Sequence, residues 1–179
     1  MRPIVYRNAM TLTPIKTGRY YFLVPGSENS GFGISCTRHY QTMITKKEVA
    51  LIRKSWAIVR RTDDITLGDV FYTRLFYENP GLRKLFPHDM EQQYKKLFDM
   101  LNIIVLRIDS LHELKGEINA MARRHVQYGV KAEHYNMVGK ALVWTLQKCL
   151  DKEWNDEIRS AWINCYAILS GTMIAATAK

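Results

Sequence analysis

From Thr45 onward, apolar residues recur at steps of three and four. That spacing places side chains on one face of an α-helix. Val49, Ile52, Trp56 and Val59 form the first stripe. It opens at "TKKE", where Thr45 and Glu48 have the spacing of a capping box, each side chain serving a backbone N–H at the helix start. "TDDIT" interrupts the pattern. Val70, Phe71, Leu75 and Phe76 carry a second helix that stops before Pro80, because the residue ahead of a proline is pushed out of the helical region. "NPGLRKLFP" reads as a short turn leading out through Phe86 and Pro87. Leu97, Leu101, Ile104 and Ile108 mark a long helix, and Leu114, Ile118 and Met121 mark another that stops at Tyr128, Gly129 and Val130. Tyr135, Val138, Leu142, Leu146 and Leu150 form the next stripe. The last helix runs from about Trp154 and carries Ile158, Trp162, Ile168 and Met173. No segment alternates with period two over a useful length. The pattern predicts an all-α domain over residues 45–179, with five long helices and one or two short ones.

Residues 1–44 have another composition. Pro3, Pro14, Pro25, Gly18, Gly26, Gly31 and Gly33 all fall there, with Glu28 as the one acid. No helical stripe persists. "RYYFLV" could form a short strand but has no obvious second strand to pair with. The expectation is a basic, disordered N-terminal extension. Its Arg-bearing, acid-poor character is also that of an organelle transit peptide. The plainer reading, a tail or an upstream translation artefact with Met43 as the natural start, is favoured.

The bulk numbers narrow the class. The 179 residues are 47% hydrophobic and 24% charged, a globular balance. The longest apolar runs are far too short to span a membrane. Three cysteines, Cys36, Cys149 and Cys165, lack paired CxxC spacing and read as reduced thiols of a cytoplasmic protein. The net charge is +9, which raises nucleic acid as a partner. The basic pairs fall on separate helices among acids, with no aromatic–basic repeat, so no nucleic-acid partner is expected.

Three apolar stripes carry a polar residue. Stepping four from Met121 reaches His125. Stepping back four from Leu97 reaches Gln93. Gly68, Tyr72, Leu75 and Phe76 share a face, so Tyr72 brings a hydroxyl to it; Tyr135 starts the next helix. Each has an ordinary explanation alone: a core histidine donating to a carbonyl, a tyrosine snorkelling to water, an exposed first-turn glutamine. Together they suggest a polar-lined cavity in an apolar bundle. One histidine is too few for a protein-only zinc site. A planar macrocycle that brings its own four nitrogens needs only one axial ligand.

These residues resemble a globin. "SW" at 55–56, "FYTRLFYENPGLRKLF" with Pro80 six residues before Phe86, "RRHVQYGV", "HYNMVGKALVWTL" and "AWINCYAILS" follow in globin order over residues 45–177. The pattern is most similar to bacterial single-domain globins and the globin part of flavohaemoglobins, with neuroglobin-like chains also near. The resemblance implies a 3-over-3 helical sandwich holding haem b. It implies that His125 is the proximal iron ligand and that Tyr72 and Gln93 are the distal pair facing bound gas. Leu97 matches the distal apolar wall and Phe86 the phenylalanine stacked on the haem. Met121, Val130 and Val138 match haem-contacting positions, and Tyr135 matches the tyrosine flanking the proximal histidine. The family glutamate that completes the proximal network falls at Thr177 here, which weakens a peroxidase-like electron push. Gln93 stands where other globins carry a histidine, so bis-histidine ligation is not expected; His88 could reach the site only by a loop rearrangement.

The implied function is tight binding of O2, with NO and CO, for oxygen sequestration or nitric-oxide detoxification. As a nitric-oxide dioxygenase it would need an external reductase, since the chain has no GxGxxG and no flavin-domain length. The alternative readings are a haem-based gas or redox sensor, or an electron-transfer globin acting through a partner protein. A third reading, a haem-free interaction protein of globin fold, conflicts with the consistent spacing of His125, Phe86, Tyr72 and Gln93.

Overall fold

The structure, a computed structural model, describes residues 44–178 and two short strands ahead of them, β1 (Leu12–Ile15) and β2 (Arg19–Phe22). The strands pair antiparallel, with Leu12 opposite Phe22 and Ile15 opposite Arg19. "RYYF" therefore has a partner, contrary to the sequence expectation. Pro14 within "LTPI" masked it, since proline is excluded from central strands but tolerated where one edge stays unpaired. The other expectations for residues 1–43, including those for Cys36 and a transit peptide, lie outside the described residues.

The helical unit contains six α-helices. They are α1 (Lys46–Val59), α2 (Asp64–Glu78), α3 (Glu91–Leu106), α4 (Lys115–Gln127), α5 (Ala132–Leu150) and α6 (Asp156–Ala175). Short 3₁₀ turns cover Pro80–Leu85, Ile108–Leu114 and Asp151–Glu153. Six long helices replace the five expected. Ile108, placed by its spacing in the third helix, belongs to the turn that follows, because Arg107 leaves helical geometry at φ −102° and ψ 20°. The last helix starts two residues later than its stripe suggested, because Asn155, not Trp154, caps it through Ile158 N–H at 3.0 Å.

Local signals otherwise hold. Thr45 Oγ1 accepts from Glu48 N–H at 3.2 Å and Glu48 Oε2 accepts from Thr45 N–H at 2.8 Å, the reciprocal capping box. Asp63 caps α2 by accepting from Thr66 N–H at 2.8 Å.

The apolar stripes meet in one core. Ile52, Trp56, Phe71, Leu75, Phe98, Leu146 and Trp162 are among its buried members. Trp56 stacks on Phe98 with centroids 5.8 Å apart. Its indole donates to Asn102 Oδ1, and the Trp162 indole donates to Ser55 Oγ, each at 2.9 Å. Both buried N–H groups are thus satisfied, avoiding the desolvation cost of an orphan donor. The closest pairings are α2 with α3, α1 with α6, α2 with α5 and α4 with α6. Three of these pairings cross between two layers, α1, α3 and α4 over α2, α5 and α6, while α2 with α5 packs within one layer. At the α2–α3 crossing, a Cβ on Gly68 would lie 2.4 Å from Tyr94 Cβ. Glycine there lets the two backbones approach.

Candidate functional site

His125 lies in the last turn of α4, half-buried. Its Nδ1 is 2.9 Å from Met121 O, four residues earlier. A carbonyl only accepts, so Nδ1 carries the proton and Nε2 presents a lone pair. No protein group among the described residues bonds to Nε2. The ring is held from the other side by Tyr135 on α5, with centroids 6.3 Å apart and planes 20° apart. The helix stops just beyond it. Gly129 has φ +80°, Gly129 N–H bonds Val126 O and Val130 N–H bonds His125 O, both at 2.9 Å. These two bonds make a Schellman motif, which needs a left-handed residue best supplied by glycine. Val130 and Met121 are half-buried beside the histidine turn.

Tyr72 and Gln93 come together from α2 and α3. Tyr72 is 4% exposed, and Gln93 Nε2 donates to its hydroxyl oxygen at 3.0 Å. No acceptor for the Tyr72 proton exists among the described residues, so that proton is uncommitted. Burial pushes the phenol up to about 12, only partly offset by the Gln93 hydrogen bond. It remains a neutral donor at any physiological pH. An aromatic box sets its position: Tyr94 stacks on it at 5.5 Å, and Phe71 and Phe86 meet it edge-on at 4.8 and 5.4 Å.

Phe86 is half-buried at the end of the Pro80–Leu85 turn. The residue that holds it there escaped the sequence reading. Arg83 donates through Nη1 to Phe86 O and Pro87 O at 3.2 and 2.7 Å, and through Nη2 to His88 O at 3.0 Å. Its guanidinium lies 5.4 Å from the Phe76 ring centre. It pins a loop of otherwise unpaired carbonyls. An arginine in a basic turn carries no distinguishing sequence signal, so only the tertiary contact reveals it. Tyr94 was missed as well; Gly68 on the facing helix was its indirect signal. His88 itself is exposed.

Leu97 is half-buried and lines a small apolar cavity of about 10 Å3 with Trp56, Phe71, Phe98 and Leu101. Thr145 lines it too, and its buried Oγ1 has no hydrogen-bond partner among the described residues. Val138 is half-buried on α5 and packs against the core. Thr177 Oγ1 donates to Met173 O and Ile174 O at 3.2 and 3.1 Å, so it is satisfied within its own chain segment. Tyr135 instead receives a bond at its carbonyl, from Tyr166 Oη at 2.6 Å.

The site thus has two halves. Tyr72, Gln93 and Phe86 form one, His125, Met121 and Tyr135 the other. The helices bearing Gln93 and His125, α3 and α4, are not among the closely packed pairs, each packing instead on a helix of the other layer. Among the described residues no group of three or more His, Cys, Asp or Glu side chains could hold a metal ion. These residues offer a guest one imidazole lone pair from α4 and a buried, proton-bearing phenol from α2. That donor set fits a macrocyclic metal that needs a single axial ligand. Cys149 and Cys165 are free thiols. Burial raises both, Cys165 to about 12, so neither is a ready nucleophile.

A two-layer six-helix fold with one free imidazole lone pair on α4 and a buried, proton-bearing phenol on α2 defines a candidate ligand-holding helical sandwich. The family model described as Globin matches residues 69–173, and the chain belongs to the globin family. It is 27% identical over 150 residues to neuroglobin-1 of Oncorhynchus mykiss, covering 76% of this chain and 94% of that protein. It is 33% identical over 130 residues to a flavohemoprotein of Bordetella pertussis, covering 71% of this chain and 32% of that one. The chain therefore spans about a third of the flavohemoprotein's length. A bacterial globin from Campylobacter jejuni shares the fold with a TM-score of 0.65 at 23% identity, covering 74% of this chain and 95% of that chain. Globin relatives, flavohaemoglobins among them, typically bind haem. No helix among the described residues is long and apolar enough to cross a membrane.

Proposed function

We propose that this chain is a haem b globin that binds O2, and also NO and CO, with high affinity, in oxygen sequestration or nitric-oxide detoxification. The observation that carries the reading is the uncommitted proton of Tyr72, buried and oriented by the Gln93 amide at 3.0 Å. His125 would hold the haem through Nε2, with Phe86, Leu97, Met121, Val130, Tyr135 and Val138 as the apolar walls. When bound, the haem supplies an iron with one open coordination position for a diatomic gas.

The chain's own residues supply the rest. Met121 O fixes the tautomer and rotation of His125, so the Nε2 lone pair needs no reorganisation to bind. Arg83 holds the Phe86 loop closed. Tyr72 donates to whichever atom of a polar guest carries negative charge, in a box that excludes competing water. A hydrogen bond to a charged acceptor contributes about 1.5–3 kcal/mol, so release of a polar gas slows by about one to two decades. CO, less polar, gains less. Slow release suits scavenging or reaction with NO better than delivery. In that second role Tyr72 and Gln93 become the catalytic positioning pair, and an external reductase is the expected partner. A cytoplasmic location fits the free thiols.

An absorbance spectrum of the purified, dithionite-reduced protein before and after CO tests this directly. The expected result is a strong Soret band from five-coordinate ferrous haem that shifts on CO, lost in His125→Ala. No Soret band after haem is supplied, or an unchanged spectrum in that variant, would end the proposal.

A further inference from the structure

A recess opens beside the residues described above, lined by none of the six that carry the proposed chemistry, Tyr72, Gln93, Phe86, His125, Tyr135 and Val138. Its volume is about 430 Å3, and it is formed by the Pro80–Leu85 turn, Gly129 and the first turns of α5. The volume falls in the range of small-molecule sites.

Its lining has two characters. Leu82, Leu85 and Met137 give an apolar floor. Lys84, Lys131 and His134 stand around it. Neither lysine has an ion-pair partner among the described residues. His134 Nδ1 accepts from Lys131 N–H at 3.1 Å, so the proton of the neutral ring sits on Nε2, which is a donor. Among the described residues, the one carboxylate in ion-pair range of this rim is Glu133, whose Oε1 lies 3.7 Å from His134 Nε2. That is beyond hydrogen-bond length, and the Glu133 side chain is 64% exposed. The start of the 19-residue α5 adds the partial positive charge of a helix N-terminus.

Two lysine cations and one imidazole N–H donor over an apolar floor match a particular guest. An inorganic anion would leave the leucines wet. A neutral apolar molecule would gain nothing from the two exposed lysines. We propose that this recess binds an organic anion with an apolar body and a carboxylate head, of the medium-chain fatty-acid type. The head sits among Lys84, Lys131 and His134, and the chain covers Leu82, Leu85 and Met137. The proposal does not rest on haem, because the recess and its rim belong to the folded chain.

Titration calorimetry of the full chain with decanoate tests it, with acetate and decanol as probes lacking the body or the charge. Decanoate binds saturably at one site, and acetate and decanol bind much more weakly. Combining Lys84→Ala and Lys131→Ala weakens decanoate about tenfold, and arginine at both positions restores it. Backbone amide shifts on titration centre on Gly129, Lys131 and His134. The proposal is overturned if decanoate shows no saturable binding, if the double alanine variant binds unchanged, or if decanol binds as tightly. Shifts centred on Tyr72 and Gln93 would overturn it too, placing the guest beside those residues instead.

Discussion

Tyr72→Phe removes one oxygen atom from the middle of the site and leaves its packing alone. The phenylalanine ring keeps the stack on Tyr94 and the edge contacts to Phe71 and Phe86. What is lost is the proton that Tyr72 holds uncommitted, because its oxygen already accepts from Gln93. A hydrogen bond to a negatively polarised acceptor contributes about 1.5–3 kcal/mol, so O2 dissociation accelerates about 10- to 100-fold. CO dissociation changes by much less. The fold barely responds, since the half-buried Gln93 amide can turn to water. Stopped-flow displacement of O2 by CO measures the off-rate. The pH dependence gives a second check. The folded-state phenol is raised from 10 to about 12 by burial, so the neutral donor persists and the wild-type O2 off-rate stays flat from pH 6 to pH 9. For an acid whose pKa is raised on folding, the associated stability is present below pH 10 and is lost as pH climbs through 12. An unchanged O2 off-rate in Tyr72→Phe, or equal acceleration for O2 and CO, would refute the donor argument.

Other consequences follow from single contacts. Gly68→Ala places a methyl 2.4 Å from Tyr94 Cβ, so α2 and α3 must separate; chemical denaturation should show a loss of about 1–3 kcal/mol, with Tyr72 displaced as the stack loosens. Thr145→Val removes a buried hydroxyl without a partner while keeping its shape, and the midpoint of unfolding should rise, corresponding to about 1 kcal/mol. Gly129→Ala puts a side chain at φ +80°, at a cost of about 1–2 kcal/mol, and hydrogen exchange at Val126 to Val130 should quicken as the Schellman turn frays.

Much of the helical frame was legible in the chain because helix signals are local. The Thr45–Glu48 box, the stop before Pro80 and Gly129 after His125 each act within one or two turns, so residue type and spacing suffice. The same periodicity placed Tyr72, Gln93 and His125 on faces that also carry apolar residues. A carbonyl partner for His125 was also legible in kind, and the one it finds, Met121 O, lies within α4 itself. Where local rules competed, the pattern misled: Ile108 continued a stripe into a turn, and Pro14 hid the partner of "RYYF".

Tertiary structure decided what depends on residues far apart in the chain. That Gln93 donates to Tyr72, 21 residues away, depends on the α2–α3 crossing, which Gly68 permits. That Arg83 locks the Phe86 loop requires the loop's carbonyls to converge on one guanidinium. The recess between the Pro80–Leu85 turn and α5 joins segments about 50 residues apart, and Lys84, Lys131 and His134 look like ordinary surface residues until those segments meet. Periodicity tells a side chain which face it shares; only packing tells it which neighbour it finds there, because the contact exists only once the chain entropy between the two segments has been overcome.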